Sequence, residues 1–223
     1  MTRWWRLPGR APYAEVHALQ RRLVDARAAG AAPDTVLFVE HEETITLGRA
    51  RGADASVLDA AGVPVIAVER GGDATWHGPG QLVAYPIVGL DGPRRDMHRH
   101  LHALEDAIIA WLTEDFGLAA QRDPRNTGVW LPCPDGERRK VASIGIACRK
   151  WVTWHGLAVN LTPDLARIAA IRPCGFDATI MTRLADHVPR APTIDEAAAA
   201  LAPRLAATLG IALGPVEDPG VGA

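Results

Sequence analysis

The chain is 223 residues long, with 48% hydrophobic and 22% charged residues, the proportions of an ordinary folded domain. Its net charge of -2 excludes a polycationic nucleic-acid binder, and no apolar run is long enough to span a membrane. Three cysteines, Cys133, Cys148 and Cys174, are too few and too scattered for a disulfide framework or a zinc knuckle. With no signal-peptide core at the start, the expected location is the cytoplasm.

In chain order, residues 12–29 are expected to form a helix, with Val16, Leu19, Leu23 and Ala26 on one stripe and Gly30 past its end. Apolar strands follow at 35–40 and 44–47, with His41 at the end of the first. A short helix is expected at 56–61 and a buried strand at 63–69. The stretch 70–81, Arg-Gly-Gly-Asp-Ala-Thr-Trp-His-Gly-Pro-Gly-Gln, then reads as a loop leading to a second buried strand at 82–88. Glycine at this density permits close approach of backbone to a ligand.

Met97–Phe116 carries the longest apolar stripe and ends at Gly117, a C-cap residue; its histidines, His98, His100 and His102, are expected on a solvated face. A strand pair is expected at 126–130 and 140–149. The small residues of the second strand allow something to lie close against it, and Cys148 is expected as a packed core thiol. Residues 155–161 form another strand, and 171–176 a rigid loop holding Pro173-Cys174-Gly175. Thr193 to Glu196 fits a capping box for a last helix reaching Leu209. A single domain is expected over 1–213, with a disordered Pro/Gly-rich tail at 214–223. The interleaving of strands and helices implies an α/β (α+β) domain with a mixed sheet.

One compositional bias bears on chemistry. Of 24 basic residues only Lys140 and Lys150 are lysines. Lysine can give up its proton in a suitable site and arginine cannot. Cys174, between proline and glycine and two residues after Arg172, is the cysteine best placed to be held as a thiolate.

Three blocks carry a resemblance: Arg70-Gly71-Gly72 with Thr75 and His77-Gly78-Pro79-Gly80-Gln81; Lys140 to Gly145 with His155 to Asn160; and Ile171 with Pro173-Cys174-Gly175. Over about residues 12–185 the chain resembles the octanoyltransferases of lipoate biosynthesis. That resemblance implies a lipoate/biotin protein ligase-like catalytic domain, a mixed β-sheet flanked by helices. It implies transfer of an octanoyl group from octanoyl-acyl carrier protein to a lysine of lipoyl domains. The acceptors would be 2-oxoacid dehydrogenase complexes and the glycine cleavage H protein, served by a monomer that needs neither ATP nor a metal. Cys174 would carry an acyl thioester and Lys140 would tune it. Substrate contacts map onto Arg70, Gly71, Gly72, Asp73, Ala74, Thr75, Trp76 and His77, onto Ser143, Ile144 and Gly145, and onto Gly156, Leu157 and Ala158. His155 and His41 would act in support.

The rival readings are an ATP-dependent lipoate or biotin ligase, a non-catalytic carrier-binding module, and a metal hydrolase built on His41, His77 and His155. The hydrolase is disfavoured because no carboxylate stands at ligand spacing with those histidines.

Overall fold

The computed structural model describes residues 1–60, 62–124, 126–172 and 178–220. Its elements in chain order are β1 (Arg3–Ala11), α1 (Tyr13–Ala28), β2 (Thr35–His41), β3 (Thr44–Leu47), β4 (Val65–Ala67), β5 (Ala74–His77), β6 (Gln81–Ile87), α2 (Met97–Phe116), β7 (Gln121–Asp123), β8 (Asn126–Pro132), β9 (Arg138–Arg149), β10 (Val152–Asn160), α3 (Leu165–Ile168), α4 (Ile194–Leu209) and β11 (Val216–Glu217). Eight strands form one sheet in the order β11-β1-β2-β6-β10-β9-β8-β7, and β4-β3-β5 form a smaller one. The large sheet is mixed: β1 runs parallel to both β2 and β11, and the other pairings are antiparallel.

The central strands read as continuous apolar runs because both sheet faces are covered. In β2, Val36 and Phe38 enter the core formed with α2 and α4, while Leu37 and Val39 enter the core under α1. β6 repeats this, with Leu82 and Ala84 on one side and Val83, Tyr85 and Ile87 on the other. α1 contributes Val16, Leu19, Leu23 and Val24 to its face. α2 is opened by Asp96, which accepts from the amides of His98 and Arg99, and closed by Gly117 at φ 67°. α4 has the full capping box between Thr193 and Glu196. Among the described residues no helix is long and apolar enough to cross a membrane.

Several expectations change. β1 was not foreseen, because Pro8, Gly9 and three arginines interrupt its apolar pattern. The strand expected at 63–69 shrinks to three residues, and Val65 is exposed because β4 is the outer strand of the small sheet. A 3-10 turn at Ala53–Ser56 takes the place of the short helix. The stretch expected to be a disordered tail contributes β11, which pairs with Trp4 and Trp5. Cys148 is exposed, not packed: it lies one residue from the end of β9, where the hairpin with β10 outruns the core. His100 is buried, whereas a solvated face was expected, since it sits one turn before Leu104 on the packed side of α2.

Candidate functional site

The glycine-rich stretch is only partly a loop. Its second half is β5, paired antiparallel with β3, so its side chains alternate. Thr75 and His77 face a cavity, while Trp76 is buried in an apolar cluster with Ile45, Val63, Ile171 and Met181. The pleat therefore turns the Trp76 side chain away from the cavity that Thr75 and His77 face. Arg70 to Asp73 lie across β9: the Gly71 amide donates to the Ile146 carbonyl at 2.9 Å. A side chain at Gly145 would stand 3.0 Å from the Gly71 oxygen and 3.1 Å from Arg70 Cδ. What lies close against the small residues of β9 is this loop.

Arg70 is buried, and its guanidinium donates to the Thr46 carbonyl at 2.8 Å and Thr46 Oγ1 at 2.9 Å. Asp73 braces the loop by accepting from Ser56 Oγ at 2.7 Å and the Ala74 amide at 2.8 Å.

Two neighbouring spaces border this crossing. An inner cavity is lined by Tyr13, Arg70, Thr75, His77, Val83, Tyr85, Ser143 to Gly145, and His155 to Ala158. An outer groove of about 910 Å³ is lined by Arg70 to Thr75, Leu101, Asn126, Thr127, Lys140 and Ser143 to Ile146. Arg70, Thr75, Ser143, Ile144 and Gly145 border both. The three blocks expected to bind substrate thus converge, Trp76 aside.

Lys140, from β9, points into the groove and is nevertheless only 3% exposed. Its Nζ donates to Asn126 Oδ1 at 2.7 Å and lies 5.8 Å from the centre of the Trp130 ring. Room for its stem comes from Gly128, at φ 133°, where a Cβ would stand 2.5 Å from Lys140 Cε and 2.3 Å from the Ala142 oxygen. The Gly128 amide donates to buried Glu105 of α2 at 3.0 Å, and Glu105 also accepts from Arg122. Asn126, Gly128 and Glu105 were missed by sequence reasoning. The only signal for them was that Gly128 interrupts an otherwise apolar strand, a mark of close approach.

The buried histidines are neutral. Burial, reinforced by His41, holds His77 well below the usual histidine range. Burial brings His41 down to about 4 and His155, with His17 and Arg70 nearby, to about 3. His77 Nδ1 lies 2.8 Å from Gln81 Oε1, an acceptor, so that nitrogen carries the proton. Gln81 donates to Asn160, and Asn160 to the Thr182 carbonyl at 3.0 Å. His41 does not line the cavity; it sits behind it, 2.8 Å from the Tyr85 hydroxyl.

Cys174, with Pro173 and Gly175, lies outside the described residues. The chain before it is fixed where the Arg172 amide donates to the Ser56 carbonyl at 2.7 Å. The chain after it is fixed where the Thr182 amide donates to the Lys140 carbonyl at 3.0 Å, in a short parallel bridge at Met181.

One further grouping reverses an expectation. A carboxylate does stand beside one of the three histidines: Glu69 Oε2 is 3.7 Å from His155 Nε2 and 2.9 Å from His17 Nε2. Chain separation hid the contact, since these residues come from α1, the root of the loop and β10. Among the described residues they are the group able to hold a metal ion.

Comparison with known proteins agrees with this architecture. The family model for the lipoyl protein ligase A/B catalytic domain matches residues 12–206. An octanoyltransferase of Geobacter metallireducens is 44% identical over 176 residues, 79% of this chain and 79% of the relative. One from Mycobacterium bovis is 42% identical over 210 residues, 94% of this chain and 88% of the relative. The fold is shared with a bipartite lipoate protein ligase of Thermoplasma acidophilum, at TM-score 0.70 and 18% identity over 99% of this chain and 88% of that one. The mixed sheet, its flanking helices and these relatives together establish that the chain belongs to the lipoyl protein ligase A/B catalytic-domain family, as an acyl-transferring member akin to the octanoyltransferases.

Proposed function

We propose that this protein moves an octanoyl group from octanoyl-acyl carrier protein to a specific lysine of lipoyl domains, through a thioester on Cys174. The observation that carries the reading is Lys140. One of only two lysines in the chain, it is buried at a groove that shares Arg70, Thr75 and Ser143 to Gly145 with the inner pocket.

In the first half-reaction the Cys174 thiolate attacks the donor thioester carbonyl. The C–S bond to the carrier's prosthetic arm breaks, and the departing thiolate takes up a proton. Exchange of one thioester for another keeps the acyl group activated, so neither ATP nor a metal is needed. An ammonium on Lys140 favours the thiolate by charge. In the second half-reaction the lysine of the acceptor attacks, the C–S bond to Cys174 breaks and an amide forms. Lys140, once neutral, can take the proton that the attacking amine gives up. The acceptors on this reading are lipoyl domains of 2-oxoacid dehydrogenase complexes and the glycine cleavage H protein, met in the cytoplasm by a monomer.

The test is intact-mass measurement after incubation with octanoyl-acyl carrier protein without ATP. Wild type is expected to carry one octanoyl adduct and Cys174→Ser none. Lys140→Arg is expected to keep some thiol reactivity and to lose transfer to a lipoyl domain. Absence of any adduct on wild type sinks the mechanism. An absolute requirement for ATP would instead place the chain with the ligases whose fold it shares.

A further inference from the structure

We propose that His17, Glu69 and His155 form a site for one divalent first-row transition-metal ion, zinc being the ion that two imidazoles and a carboxylate suit best. The inference is independent of the acyl-transfer reading, which requires no metal.

The geometry is close to what such an ion requires. The three donor atoms lie within 4.8 Å of one another, with Glu69 Oε2 at 2.9 Å from His17 Nε2 and 3.7 Å from His155 Nε2. Tetrahedral zinc with bonds of about 2.0–2.2 Å holds its donors about 3.4 Å apart, so a separation of 4.8 Å has to close by about 1.4 Å. Trp154 stacks on both imidazoles, 5.5 Å from His17 and 4.4 Å from His155 between ring centres, and keeps them in one layer.

His155 is the residue that points to a missing ligand. It is 1% exposed, and neither ring nitrogen has a hydrogen-bond partner. A buried polar atom left so calls for an explanation, such as an ion. Its backbone is also held at φ 54°, a left-handed conformation that a non-glycine residue adopts at a cost. Gln20 Oε1 clamps it there by accepting from the His155 amide at 2.9 Å. A strained, clamped residue presenting unpaired nitrogens to a carboxylate has the form of a preset ligand.

Glu69 is 31% exposed, which leaves a coordination position open to water. The neighbouring Arg70 opposes a cation, so the ion depends on Glu69 being ionised. On binding, the hydrogen bond between His17 and Glu69 gives way to two bonds to the metal, and the proton of that hydrogen bond is replaced by one on His17 Nδ1, so the ligand is a neutral imidazole. The ion would tie α1, the root of the loop and β10 at the back of the inner cavity; His155 lines that cavity but not the groove that holds Lys140.

The experiment titrates cobalt(II) into chelator-stripped, full-length protein and follows its visible d–d absorption, then displaces it with zinc. One cobalt per chain is expected, with a zinc-dependent rise in Tm. His17→Gln and Glu69→Gln are each expected to weaken binding about tenfold or more, and Cys174→Ser not at all. The melting curve of each stripped variant shows whether it folds, and if one ligand variant does not fold the other still decides. No d–d absorption from wild type overturns the site. So does binding that both ligand variants leave intact, or binding that Cys174→Ser abolishes, which would put the ion on the thiol.

Discussion

The Gly128→Ala substitution tests the packing around Lys140 most directly. Gly128 sits at φ 133°, where an L side chain is strained, and its missing Cβ leaves the space that Lys140 Cε occupies at 2.5 Å. Strain costs about 1–3 kcal/mol and overpacking about 1–3 kcal/mol more, so the expected loss is about 2–6 kcal/mol. For a chain of this size that lowers Tm by roughly 10 °C. Lys140 must also shift, and it cannot then keep its 2.7 Å hydrogen bond to Asn126. Losing a hydrogen bond from a charged group costs about 1.5–3 kcal/mol, so transfer by the folded fraction is expected to fall about 10- to 100-fold. The assay pairs a circular-dichroism melt with octanoyl transfer to a lipoyl domain, read at a temperature where the variant is folded. A variant within about 2 °C of wild type and equally active would refute the argument.

Two other outcomes follow from buried groups. Burial brings His100 down to about 4, below its unfolded value of 6.5, so the unfolded chain binds more protons between those values. Stability is therefore lost as pH falls from about 6.5 towards 4, and at pH 5 His100 alone accounts for about 2 kcal/mol of that loss. His100→Leu is expected to narrow the Tm gap between pH 7.5 and 5 by several degrees; an unchanged gap in scanning calorimetry refutes this. Tyr13 lines the inner cavity but not the groove. Tyr13→Ala should lengthen the acyl chain accepted, raising the decanoyl-to-octanoyl ratio of kcat/KM up to about 15-fold, from about 0.8 kcal/mol for each buried CH₂. A constant ratio would show that another wall sets the length.

What the sequence disclosed depended on how local each cause was. The strands β2, β6 and β10 were legible because burial on both faces leaves unbroken apolar runs. The caps of α2 and α4 were legible because Asp96, Gly117 and the Thr193–Glu196 box act within a few residues. Lys140 stood out through scarcity alone. β5 was hidden, since a four-residue strand among glycines has too few side chains to show alternation, and with it the inward turn of Trp76. The supports of Lys140 were hidden because Glu105 and Gly128 come from α2 and β8, 23 residues apart. His17, Glu69 and His155 are further apart still, and only the packing of α1 against β10 brings them together.

The margins of the large sheet have a consequence for handling the protein. Its outermost strands, β7 and β11, are three and two residues long. β11 covers only Trp4 and Trp5 of β1; the rest of that border offers Arg6, Arg10 and Pro8, which has no N–H to give. Another molecule meeting either border finds almost no ladder to extend, a common safeguard against aggregation. Shortening the chain to end before Val216 would bare the two tryptophan backbones, and a shortened protein of that kind should clump at concentrations where the full chain stays dispersed.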